Sequence, residues 1–284
     1  MDHLPRSTRI SGRPATAVGL AVGLTLGLPA FGQEAAADGG DGIAFPGTLI
    51  ETVVVPLPSE IFTVLDKLGG GNWKSELDDY SQAKVRGTRM SMALGLGVAI
   101  ADGFVAVQAQ DATLTRQIGR DVQRIAEALG LRKEVESHCQ AILDAVDRGN
   151  WDAIREELDT AESSVRLAMQ NLNDNGLAQC VSVGGWLRGT EALANTIGQS
   201  YTRDRAELLN QPMLVAHLTE EMRTVQKTAR DTPTKEMVIE VIAGLGKVEE
   251  QMASAEEGFG PSPAATKQIG SVCGRLVDLI GGKP

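Results

Sequence analysis

Residues Met90–Val107, MSMALGLGVAIADGFVAV, form an apolar, small-residue run with a single acid, Asp102, inside it. Three structures compete for this stretch. A membrane span needs about 20 apolar residues. The seven leucine, isoleucine, valine and phenylalanine side chains here would together gain about 3 kcal/mol on insertion, and an aspartate at the centre cancels that at about 2.5 to 3.5 kcal/mol. A β-hairpin has local support, because Leu94, Leu96, Val98 and Ile100 alternate with Gly95, Gly97, Ala99 and Ala101, and Asp102-Gly103 suits a two-residue turn. An isolated hairpin is marginal in water, however, and the rest of the chain offers no evident strands to complete a sheet. The remaining structure is a helix that is apolar all round because other helices enclose it.

Working outward, the surrounding sequence supplies those helices. Leu114, Ile118, Val122, Ile125 and Leu129 step by three and four, and Gly130 follows as a stop. Val135, Cys139, Ile142, Leu143 and Val146 form another stripe, and Trp151, Ile154, Leu158, Ala161, Val165, Ala168 and Leu172 a longer one. A second glycine-rich helix is expected from Leu177 to about Ser200, with small residues at Gly184, Gly185, Gly189 and Ala192 making a flat strip. Set against Gly95, Ala99 and Ala106, that strip would bring two backbones close. Such contact offsets the roughly 1 kcal/mol that each helical glycine costs.

Punctuation agrees with this reading. Gly69-Gly70-Gly71 ends a helix begun at Pro58, and Asn72-Trp73 is expected to open the next with Asn72 as cap, a device repeated at Asn150-Trp151. Thr202, Thr232-Pro233 and Ser262-Pro263 are three further expected starts. The predicted fold is all-α, a multi-helix bundle of nine or ten helices around two buried glycine-rich ones, with a short extended N-terminal arm at Thr52–Pro56.

The amino terminus has a different character. Arg6, Arg9 and Arg13 precede an apolar run from Ala15 to Leu28, and Pro29-Ala30-Phe31-Gly32 follows. This is the pattern of a basic region, a hydrophobic region and a small-residue cleavage site. Cleavage after Ala30 or Gly32 is expected to release a soluble periplasmic or secreted chain. Removing residues 1–32 takes away three Arg and one Asp, a net +2, and moves the formal charge from −10 to −12. The organisation expected is a signal peptide over 1–32, a flexible leader over 33–49, a helical domain over 50–231, and a C-terminal helix pair over 232–284 packed on that domain or appended to it. The acidic balance argues against nucleic acid and anionic membrane as partners. Cys139, Cys180 and Cys273 sit among apolar neighbours and are expected as buried thiols, although export would permit one disulfide.

Chemistry-bearing residues are few. Asp102 inside an apolar helix needs a cation, and Arg188 on the other glycine-rich helix is the expected partner, with Glu191 one turn on. These three are the candidate ligand-binding residues. The plainer reading is a buried ion pair. His217 with Glu220 and Glu221 has a spacing that metal sites in helical bundles use, and His138 shares a face with Glu134. Neither forms a ligand set alone, and both read as solvated helix faces. No phosphate loop, dinucleotide fingerprint, nucleophile elbow or Cys-x-x-Cys is present. No catalytic residue, metal or cofactor is assigned. The function expected is non-catalytic, either a scaffold or the binding of a protein or small-molecule partner, without a stable membrane span in the mature chain. The alternative is a hydrolase or metal-dependent enzyme with a polar site around Asp102 and Arg188.

Overall fold

A computed structural model describes residues 48–50, 53–55, 58–69, 71–80, 87–171, 175–255 and 260–282. The expected signal peptide, and the expected leader as far as residue 47, lie outside the described residues. Thr48 and Leu49, at the end of that leader, belong to a strand. Strands β1 (Thr48–Ile50) and β2 (Val53–Val55) pair antiparallel with Ile50 opposite Val53. The extended arm is therefore half of a short hairpin.

Apart from short connections, the other described residues are helical. The α-helices are α1 (Pro58–Lys67), α2 (Arg89–Gln108), α3 (Ala112–Leu129), α4 (Arg132–Asp147), α5 (Trp151–Asn171), α6 (Asn175–Gln199), α7 (Arg203–Ala206), α8 (Pro212–Thr228), α9 (Thr232–Ala253) and α10 (Pro263–Gly281). The fold is all-α, and Met90–Val107 is neither two strands nor a turn but lies within one continuous helix, α2. By length and apolarity α2 could cross a membrane, yet half of that stretch is enclosed by its neighbours.

The reason lies in its backbone contacts. A Cβ on Gly97 would collide with the carbonyl oxygen of Val181 on α6, and one on Gly184 with the carbonyl oxygen of Leu94 on α2. The two helices cross where neither carries a side chain, so their backbones touch, and Leu94, Leu96, Val183 and Leu187 fill the space on either side as buried core. The expected small-residue strip is only half right. Gly184 and Gly185 do face α2, but Gly189 is exposed with open space at its Cβ position, and Gly95 faces Ile280 of α10 instead of α6. A helix turns about 100° per residue, so Gly189 stands about 140° round from Gly184, where the backbones come closest, although only about 40° from Gly185.

Around this pair the amphipathic helices each bury one stripe. On α3 these are Ile118, Ile125 and Leu129, together with Thr115 and Asp121. Gly130 ends α3 in the left-handed conformation, φ 84°, which only glycine adopts without strain. Asn150 caps α5 through Oδ1, which accepts from the Ala153 amide at 3.1 Å. Ser262 caps α10 in the same way, from Ala265 at 3.2 Å.

Two expected caps differ. Asp231, not Thr232, caps α9, accepting from the Thr234 amide at 2.8 Å, because a carboxylate three residues upstream of that amide is already in reach. Asn72 makes no side-chain cap, and Trp73–Leu77 is a single 3₁₀ segment. That segment buries Trp73 and Leu77 and brings Glu76 to α6, which positions the site described next.

Candidate functional site

Asp102 and Arg188 meet. Arg188 Nε donates to Asp102 Oδ1 at 2.6 Å, across the crossing of α2 and α6, and the two residues are 8% and 6% exposed. A guanidinium so placed has to satisfy its other nitrogens as well. Nη1 donates to Glu191 Oε2 at 3.3 Å, one turn along α6, and Nη2 donates to the backbone carbonyl of Glu76 at 2.6 Å. Glu76 returns to α6 with its side chain, where its Oε2 accepts from Asn195 Nδ2 at 2.9 Å. All three nitrogens of Arg188 are thus engaged, by an acid from α2, an acid from its own helix and a carbonyl from the 3₁₀ segment.

The electrostatics follow from that arrangement. Burial works to lower the Arg188 pKa, but the charge of Asp102, then Glu191, outweighs it, and the guanidinium is held more firmly protonated than usual. Burial pushes the Glu191 carboxyl above its ordinary range. Arg188 pulls it back in part, and Asp102, Asp278 and Glu76 add to the rise. Helix α10 closes over Glu191, since a Cβ on Gly274 would stand 2.7 Å from its Oε1. The buried thiol of Cys273 is pushed far up, by burial first and by Glu191 second.

A second buried acid lies one helix on. Asp121, on α3, is 1% exposed, and its Oδ2 accepts from the Tyr80 hydroxyl at 2.7 Å while Arg124 donates to Oδ1. Burial, then the bond to Asp121, raises the Tyr80 phenol far above its ordinary value, so it remains a proton donor. The sequence reading passed over this cluster. The signal was present, because residue 121 lies three after Ile118 and four before Ile125, on the buried stripe, where an acid needs partners.

The histidine clusters resolve otherwise than their spacing suggested. His217 Nε2 lies 3.4 Å from Glu221, but Glu220 turns to Arg223 at 3.1 Å. His138 pairs through Nδ1 with Glu157 on α5 at 2.6 Å, not with Glu134 on its own helix. Cys139, Cys180 and Cys273 are buried thiols. Among the described residues, no three of His, Cys, Asp and Glu come together as a possible metal ligand set.

The fold and this site define a helical bundle stapled by a buried arginine, each of whose three nitrogens bonds to an oxygen of the chain. No family model matches the chain, and no curated protein or solved structure matches it either.

Proposed function

We propose that the mature protein is an exported, non-catalytic helical scaffold, working through a protein or small-molecule partner, and that Asp102, Arg188 and Glu191 hold the bundle together instead of binding that partner. The observation that carries this reading is the engagement of every Arg188 nitrogen by the chain's own oxygens. An arginine that recognises a carboxylate or phosphate must turn donors towards it, and here each lost bond would leave a buried charge unpaired. Export rests on the Arg6 to Gly32 pattern.

Two measurements test it. In the first, Arg188→Met is compared with the unaltered chain in urea. A staple loses about 3 to 5 kcal/mol, whereas residues kept for binding or catalysis leave stability unchanged or improved when replaced. The second is the intact mass of the protein recovered from outside the inner membrane of a bacterial host. It should correspond to cleavage after Ala30 or Gly32, and the full-length mass would end the export reading.

One observation favours the enzyme alternative. The raised Glu191 carboxyl keeps a proton to higher pH than an ordinary glutamate, as a general acid must. A hydrolase built on it would lose turnover in Glu191→Gln while keeping its stability.

A further inference from the structure

The face of α3 beside Asp121 carries features that the arginine staple does not explain. Gln117, Arg120, Asp121 and Arg124 line an open depression of about 600 Å³. They fall at i, i+3, i+4 and i+7, so they share one face. Arg120 and Arg124 stand on successive turns, about 6 Å apart along the axis. Like charges at that spacing destabilise a helix by a few tenths of a kcal/mol, and the chain that carries them has a formal charge of −10.

Asp121 gives the pair its order. It lies beneath the surface, and its two oxygens are taken by Tyr80 and Arg124, so it fixes the Arg124 head at the edge of the depression. Arg116, one turn earlier, is tied to Asp147 on α4 and does not belong to the group. Besides Asp121, the depression is lined by Arg124, to which Asp121 is bonded, by the exposed Arg120 and by Gln117. Guanidinium forks match the paired oxygens of carboxylates and phosphates and repel cations.

We propose that this depression on α3 binds a small oxyanion, a carboxylate or a phosphate, through Arg120 with Arg124 and Gln117, the buried Asp121–Tyr80 pair acting to position Arg124. The site is separate from Asp102 and Arg188 and does not depend on the reading of that network.

The test is calorimetric titration of the full chain with inorganic phosphate and, separately, with succinate, at ionic strength matched by chloride. Saturable binding of one or both above the chloride control is expected, and the two titrations say which oxyanion the site prefers. Arg120→Ala should weaken it about tenfold or more, equivalent to about 1.4 kcal/mol, with the melting temperature unchanged because Arg120 is exposed. Arg120→Lys keeps the charge without the fork and should fall between. The proposal is overturned if neither anion saturates, or if Arg120→Ala and the double variant Arg120→Ala/Gln117→Ala bind as the unaltered chain does.

Discussion

Asp102 and Asp121 are two buried carboxylates on consecutive helices, each paired with an arginine, yet they are built to different ends. Asp102 meets an arginine 86 residues away on another helix, and that arginine is itself buried and wholly engaged. Asp121 meets an arginine three residues along its own helix, whose side chain is 41% exposed, and takes its second bond from a tyrosine. The first pair closes a crossing between helices. The second orients a charge at an open face. The contrast teaches that burial of an acid does not by itself distinguish a staple from a site, and that the exposure of the partner cation does.

The sharpest way to break this contrast is to remove each arginine. Arg188→Met should cost about 3 to 5 kcal/mol in urea denaturation at neutral pH, because it takes the guanidinium away from the buried Asp102 carboxylate. Adding Asp102→Leu should recover most of that loss, since replacing both members of a buried pair with apolar groups is often neutral. Arg124→Met should cost less, about 1 to 3 kcal/mol, because it takes one partner from the buried Asp121 carboxylate while the Tyr80 bond remains. Equal losses in the two single variants would erase the distinction.

Next in size is the packing that seals the first pair. Gly97→Ala puts a methyl group into the Val181 carbonyl, where the obstacle is backbone and cannot swing aside. A loss of about 2 to 3 kcal/mol is expected, at the upper end of the usual overpacking range, and thermal unfolding would read it. Tyr80→Phe should cost about 1.5 kcal/mol by removing one bond to a buried carboxylate. It should also change the alkaline limb. The Tyr80 phenol is raised in the folded state, so above its ordinary value of 10 the unfolded chain loses that proton first, and stability falls as pH rises. In Tyr80→Phe that component of the alkaline decline is absent.

Glu191 gives a smaller, acid-side test of the staple. Its carboxyl is raised on folding, so the folded chain holds this proton where the unfolded chain has lost it. Its contribution therefore declines as pH rises from the ordinary value of 4.5 through the folded value, and is constant below and above that window. Glu191→Gln should flatten that part of the stability profile. A profile identical to that of the unaltered chain would mean the raised carboxyl has no energetic consequence.

The two acids also differ in how far the sequence betrayed them. Asp102 was legible because it interrupts a run with no polar face, and Arg188 because it does the same on the only other helix of that kind. Glu191 followed from helical spacing. The third partner of Arg188 was not legible, because it is the carbonyl of Glu76, and a carbonyl belongs to every residue. Its position depends on the 3₁₀ segment, whose short i to i+3 turn looks like the start of an ordinary helix when only Asn72-Trp73 is seen. Asp121 was hidden by its neighbour. Val122 completes an apolar stripe with Ile118 and Ile125 well enough that the acid beside it seemed to face water, and Tyr80, 41 residues earlier, leaves no trace in that periodicity. The helices themselves were legible wherever glycine, proline or a capping side chain marked an end, and the Gly184 and Gly185 contact was found while Gly189 was misplaced by counting small residues without counting degrees.

The smallest effect expected is also the one that most directly separates a sealed helix face from an open one. Gly119 lies on α3 between Gln117 and Asp121, and nothing stands within 4 Å of where its Cβ would be. Gly119→Ala adds a good helix former at a position with room for it, so it should raise stability by about 0.5 to 1 kcal/mol. The same substitution at Gly97 lowers it. The two variants make an identical chemical change in adjacent helices, one of them where backbones touch and the other where nothing stands within 4 Å. Opposite signs in a single melting experiment would establish that Gly97 of α2 is held by contact with α6, while Gly119 of α3 is free of such a constraint.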